Sequence, residues 1–107
     1  MNKQLMLLLV FPFILTACIF SSMSGTEGFK ANTDGFIGRP ISHFLKIYDS
    51  QLVNISEEHD GKVEYFFERS KACKYSMVVD KGAGTILSWR YRNDSTGTYS
   101  GSCRIDV

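Results

Sequence analysis

The side chains able to support covalent, metal or proton-transfer chemistry are few in this chain: cysteines at 18, 73 and 103, the histidines His43 and His59, and the adjacent pair Glu57 and Glu58. Neither histidine stands at a metal-ligand spacing from a cysteine, an aspartate or the other histidine. His43 neighbours Phe44, and His59 sits in the polar run Glu57-Glu58-His59-Asp60-Gly61, so both read as solvated or capping residues. Adjacent carboxylates in an extended chain point to opposite faces, which is the wrong geometry for a paired acid and base. Gly82-Ala83-Gly84 is followed by no helical pattern and reads as a hairpin turn, not as a phosphate cradle. The expectation is a protein that is not an enzyme and uses no metal or cofactor. The cysteines remain to be explained, and an odd number of them asks for two different fates.

The start of the chain gives Cys18 its context. Residues 1–17 hold a single charge, Lys3, followed by an apolar run through Leu15 that Pro12 interrupts. A membrane-spanning helix needs roughly 20 apolar residues. This run is shorter and matches the charged start and apolar centre of an export signal peptide. It ends in Leu15-Thr16-Ala17-Cys18. Placed there, those four residues resemble the lipobox of bacterial lipoproteins. The resemblance implies cleavage between Ala17 and Cys18, a diacylglycerol thioether on Cys18, and acylation of the new amino group, with palmitate as the label that would report it. Two or three acyl chains make such an attachment stable where one holds only marginally. In that family an Asp directly after the lipidated cysteine favours retention in the inner membrane, so Ile19 implies the outer membrane, with the protein facing the periplasm. An ordinary signal peptide cleaved near Ala17, leaving Cys18 a stray thiol, and an uncleaved anchor are the alternatives.

At 107 residues, 44% of them hydrophobic and 21% charged, the chain has the length and balance of one globular domain. Residues 18–37 are rich in Ser, Gly and Thr without a clear period. They read as the lipidated N-terminus and a flexible tether with a root-mean-square reach of about 20 to 25 Å. The domain is expected over residues 38–107. Gly38-Arg39-Pro40 supplies a turn and a helix start, and Ile41, Phe44, Leu45 and Tyr48 follow at i, i+3, i+4 and i+7. That spacing predicts one short amphipathic helix ending near Asp49 or Ser50. The period then changes to two, predicting strands at 52–56, 63–68 and 73–79, another along Leu87, Trp89 and Tyr91, and a last one through Cys103, Ile105 and Val107.

Register follows from parity, because a slip of one residue would turn every apolar side chain outward. Pairing Phe67 with Tyr75 and Tyr65 with Met77 keeps both apolar rows on one face. It also sets Glu68 opposite Lys74, an opposite-charge pair worth about 0.2 to 1 kcal/mol. Pairing Met77 with Leu87 and Tyr75 with Trp89 keeps the third row inside. The expected fold class is α+β: one short amphipathic helix packed on an antiparallel meander of three to five strands, stapled by one disulfide. Parity puts Cys73 and Cys103 on the apolar face. A bridge between them would close a loop of about 30 residues, which the chain-entropy picture values at roughly 3 to 4 kcal/mol. Export would place the domain where disulfides persist. With Cys18 assigned to lipid, the other two cysteines form an even pair. Two buried free thiols are the alternative.

Charge is divided along the chain. Residues 19–68 hold eight acidic and four basic side chains, net −4, and residues 69–107 hold seven basic and three acidic, net +4. Lys71, Lys74, Arg90, Arg92 and Arg104 either gather into a basic area suited to anionic lipid or glycan, or stay a scattered solvated set. Phe66, Val78 and Ile86 alternate outward from the core rows, and one short helix can cover only one face. This outward cluster is a possible partner surface. Alternatively the N-terminal segment, with Phe29, Phe36 and Ile37, folds back over it.

The combination of lipobox, Ser-rich tether, a glycine and proline before a short helix, and then an antiparallel meander resembles small bacterial outer-membrane lipoproteins. Across residues 38–107 the layout is loosely similar to the SmpA/OmlA type, which assists barrel assembly. The expected single helix, where that type has two, and the cysteine pair depart from it. The function expected is a membrane-anchored envelope lipoprotein, a non-enzymatic binding or scaffold module with an envelope protein partner and no nucleic acid. The alternative is a lipid-anchored inhibitor or exclusion factor, acting on an incoming enzyme or conjugation apparatus through a loop such as residues 93–102.

Overall fold

The computed structural model describes residues 25–57 and 59–105. In chain order these form α1 (Gly25–Asp34), α2 (Ile41–Tyr48), a 3-10 turn (Asp49–Gln51), β1 (Leu52–Ile55), β2 (Lys62–Ser70), β3 (Cys73–Asp80) and β4 (Ile86–Tyr91). The strands make one four-stranded antiparallel sheet in the order β1-β2-β3-β4. The fold is therefore the expected α+β meander with its disulfide. The expected signal peptide over residues 1–17, Cys18 and the rest of the chain to residue 24 lie outside the described residues.

Two helices cover the sheet where the sequence pattern predicts one. Residues 25–34, expected to belong to a flexible tether over 18–37, fold instead as α1. No wide apolar stripe marks this helix: Gly28, Phe29 and Thr33 are its buried residues. It is held from outside itself. The Phe29 ring sits 5.3 Å from Tyr75, 6.0 Å from Trp89 and 6.2 Å from Tyr91. The Trp89 indole N–H donates to Asp34 Oδ1 at 2.7 Å, and Gly25 exchanges two backbone hydrogen bonds with Ile105. Tertiary contact, not local propensity, stabilises most short helices in proteins.

The stripe expected on α2 is present: Ile41 and Phe44 are buried, and Leu45 and Tyr48 pack against the same core. Pro40 stands just before the helix with extended backbone (ψ 140°), not at its first residue. Phe44 is the hub, with ring centroids 5.0 Å from Phe36, 4.5 Å from Tyr48 and 5.0 Å from Phe67. Below it Phe67 stacks on Tyr75 at 5.2 Å, one cross-strand pair down the sheet.

The β2–β3 register is the one parity predicts: Phe67 faces Tyr75, Tyr65 faces Met77 and Glu68 faces Lys74. The β3–β4 register differs by two residues. Met77 pairs with Trp89 and Tyr75 with Tyr91, and an irregularity between Val78 and Val79 brings Val79 opposite Ile86. The cause lies outside the strands. The Gly38 N–H donates to the Ile86 carbonyl and the Ile86 N–H to the Arg39 carbonyl, both at 2.8–2.9 Å, while Pro40 bridges Thr85. The segment between the helices thereby fixes the start of β4, and the extra residue there is a bulge that reverses which side chain points inward.

The C-terminal segment joins the sheet end without extending it. Cys103 is bonded to Cys73 with a Cα–Cα distance of 4.7 Å, and both are buried. Among the described residues Ile105 pairs only in the isolated bridge to Gly25, so up to residue 105 the expected fifth strand is reduced to that contact; Val107 lies outside the described residues. Just before the cysteine, Gly101 has φ +55°, and a Cβ there would collide with the Ala72 carbonyl oxygen. Glycine fits this crossing where other residues would force the chain away.

Candidate functional site

Both helices pack on one face of the sheet, the face carrying Phe67, Tyr75, Met77, Val79, Ile86 and Tyr91. Alternate residues of the same strands present the other face: Glu64 and Phe66 from β2, Lys74, Ser76 and Val78 from β3, and Arg90 from β4. Among the described residues no element crosses this second face.

At its centre stands Glu64, with a side chain only 18% exposed. Ser76, fully buried on the neighbouring strand, donates its hydroxyl to Glu64 Oε2 at 2.5 Å. Arg92 donates to the same oxygen at 3.0 Å, and Arg90 lies 3.5 Å away. The Glu64 backbone N–H donates to Ser56 Oγ at 3.0 Å, tying β1 to the same point. Arg92 is itself held in place, because its backbone N–H donates to the Lys74 carbonyl at 2.7 Å and its guanidinium lies 5.1 Å from the Phe66 ring centroid. A half-buried carboxylate is matched here by two guanidinium groups, one of them also resting on an aromatic face.

This arrangement corrects the expected apolar cluster of Phe66, Val78 and Ile86. Phe66 and Val78 do lie on the open face, half-buried. Ile86 does not: the β4 bulge turns it into the core at 1% exposure and leaves Leu87, expected inside, 43% exposed. Nor do the described residues of the N-terminal segment, 25–37, cover this face. Phe29 and Phe36 are buried in the core on the opposite side, and Ile37 is 44% exposed.

Beside Phe66 lies a groove of about 340 Å³, bordered by Val53, Phe66, Glu68, Lys74, Arg92 and Asp94. It offers an apolar floor with charges of both signs at its rim. The Thr96 hydroxyl and backbone N–H both donate to Asp94 Oδ1, at 2.6 and 2.9 Å. These hydrogen bonds, the hydroxyl first, hold the Asp94 carboxyl below the usual carboxylate range. On the core side, burial raises the Tyr75 phenol well above the ordinary tyrosine range. The nearby Tyr48 adds to that and Arg69 opposes it. Tyr75 spends its proton on a 2.5 Å hydrogen bond to Gln51 Oε1.

The remaining candidates do not converge. His43 is exposed with Nδ1 3.5 Å from Arg39, and His59 is exposed beside Asp60 at 3.4 Å. Glu57 is exposed. Glu58 and Cys18 lie outside the described residues. Among the described residues no three His, Cys, Asp or Glu side chains gather as a metal site would require. Of the five basic residues expected either to gather or to scatter, Arg90 and Arg92 serve Glu64, Lys71 and Lys74 border a concavity with Tyr99 and Ser102, Lys74 also shares the groove beside Phe66 with Arg92, and Arg104 is exposed. Sequence reading missed Glu64, Ser76 and the two arginines as a unit. Parity alone put Glu64 and Ser76 on this face, but Arg90 reaches Ser76's row only in the correct β4 register.

Compared with known proteins, the chain matches no protein-family model, no curated protein and no solved structure.

Proposed function

We propose that this chain is a lipid-anchored envelope protein, held through Cys18 at the periplasmic face of the outer membrane, and that it acts as a non-enzymatic binding module. The anchor rests on Leu15-Thr16-Ala17-Cys18 after a charged start and a short apolar run. It is supported by the Cys73–Cys103 disulfide, a bond that persists in exported proteins and is rare in reducing compartments. The binding surface is the open face of the sheet. One observation carries that assignment: two helices pack on one face, while the other presents Phe66, Val78 and the Val53 groove around a fixed Glu64–arginine network. Half-buried apolar groups beside paired charges suit a protein partner, since the aromatic and arginine side chains are the types that anchor interfaces.

Palmitate labelling of the wild type and of Cys18→Ser tests the anchor, and label retained in the variant would refute it. Photo-crosslinking from position 78 tests the surface. Crosslinks to an envelope protein that weaken in Phe66→Ser, with unfolding transitions unchanged, are the expected result. The second reading, an inhibitor acting through the loop at 93–102, is favoured by that loop's internal order. Asn93 donates to the Tyr99 carbonyl, Thr96 and Thr98 bond in sequence after Asp94, and Tyr99 is held out at 58% exposure. Crosslinks from position 99 to a foreign enzyme, with none from position 78, would select it.

A further inference from the structure

The lipid anchor and the fold together decide which end of the domain meets the membrane. Gly25, the first residue of α1, pairs with Ile105. Seven residue steps separate Gly25 from Cys18, so fully extended chain places Gly25 within about 25 Å of the anchored sulfur. The end of the sheet that holds Gly25 therefore stays close to the lipid surface.

That end is built from the β2–β3 turn and the C-terminal segment. Ser102 donates its backbone N–H to the Ala72 carbonyl at 2.9 Å, the Ser70 and Ser102 hydroxyls lie 3.2 Å apart, and the disulfide joins Cys73 to Cys103. It carries Arg69, Lys71 and Lys74, all exposed. None of the three makes an ion pair among the described residues. Glu68 stands opposite Lys74 in the ladder without closing on it, and among the described residues the other carboxylates near this end are Glu27 and Asp94; Asp106, next to Ile105 in the sequence, lies outside the described residues. Lys71 and Lys74 border a concavity of about 470 Å³ with Asn93, Tyr99 and Ser102, which sets two ammonium groups beside hydroxyl and amide donors. The exposed Tyr99 ring at its rim is a side chain suited to the interface between headgroup and hydrocarbon.

We propose that this end, through Arg69, Lys71, Lys74 and Tyr99, docks on anionic phospholipid headgroups of the bilayer that holds the anchor; the proposal rests on the lipid anchor at Cys18. Docking fixes the orientation of the domain. The opposite end, with Lys62 and Lys81, points into the periplasm, and the open sheet face stands across the membrane plane where a partner can reach it. Tethering keeps the local lipid concentration high, so a surface attraction too weak to bind a free protein is enough here.

Lysine footprinting tests it. Mature protein purified from membranes in detergent is added to preformed vesicles, either phosphatidylethanolamine with phosphatidylglycerol at three parts to one or phosphatidylcholine alone. It is then treated with a membrane-impermeant acetylating reagent and read by mass spectrometry. Lys71 and Lys74 should react about fivefold more slowly on the anionic vesicles, the effect of one basic residue near a charged surface. Lys46, Lys62 and Lys81 should not change, and high salt should restore Lys71 and Lys74. Acyl mass on Cys18 with equal lysine reactivity on both compositions overturns the docking and leaves the anchor standing. Absence of acyl mass on Cys18 overturns both.

Discussion

The two faces of this sheet are made by the same strands and solve opposite problems. On the covered face, rings from α1, α2, β2, β3 and β4 interlock at centroid distances of 4.5 to 6.3 Å, with Phe44 and Tyr75 at the centre. On the open face the central side chain is a carboxylate, matched by Ser76, Arg90 and Arg92. The first face excludes water and gains from buried apolar area. The second keeps its charges paired at the edge of solvent, so it needs no further layer for the fold to be stable. A domain of this size can leave a whole face free for a partner if the other face, with one disulfide, carries the fold.

The largest expected effect comes from breaking the covered face. Phe44→Ala removes a ring at 2% exposure that touches both layers, and should lower stability by about 3 to 5 kcal/mol in urea unfolding. Next is the staple. Cys103→Ser opens a loop spanning 30 residues and should lose about 3 to 4 kcal/mol, seen as a lower thermal midpoint under non-reducing conditions. Ile86 and Leu87 then test which of two adjacent residues belongs to which face. Ile86→Ala should be destabilising by about 3 kcal/mol, and Leu87→Ala by less than about 0.5 kcal/mol. Equal losses would mean that the bulge does not turn Ile86 inward.

The open face should respond more mildly. Glu64→Gln leaves Arg90 and Arg92 facing a neutral amide and should cost about 1 to 3 kcal/mol, with a smaller dependence on salt than the wild type. The smallest effect concerns the groove rim. Because the folded state holds the Asp94 carboxyl below its ordinary range, the bonds from Thr96 contribute fully above the unfolded value and are lost as pH falls through the lowered folded value. A carboxyl titration followed by NMR should show Asp94 ionising at lower pH than an exposed aspartate. In Thr96→Val it should move up toward the usual range.

Much of the covered face was legible in the sequence. The α2 stripe and the β2–β3 register are local patterns of period 3.6 and 2, and a hairpin joining adjacent strands has little freedom once parity is set. The same parity put Cys73 and Cys103 on the apolar face, and their pairing was expected once Cys18 was assigned to lipid; the bond is present. α1 was not legible, because its buried surface is essentially one phenylalanine whose partners, Tyr75, Trp89 and Tyr91, lie far along the chain. The open face was misread for a related reason. Its outward apolar residues were visible as Phe66, Val78 and Ile86. The charges between them gained meaning only when β4 took a register two residues from the expected one, a shift that parity cannot detect.

By itself the sequence determined the order of the strands, the helix at 41–48, the inward rows of β2 and β3 and the disulfide, together with an N-terminal pattern that resembles a lipobox. These depend on alternation along short stretches, where sterics at each residue dictate where the next side chain points. The tertiary structure alone decided that residues 25–34 are helical, that Gly38 and Arg39 set the start of β4, that Ile86 is core and Leu87 surface, and that two arginines converge on Glu64. Each of these rests on contacts between segments distant in the chain, and one bulged residue is enough to reverse the face that a local period assigns.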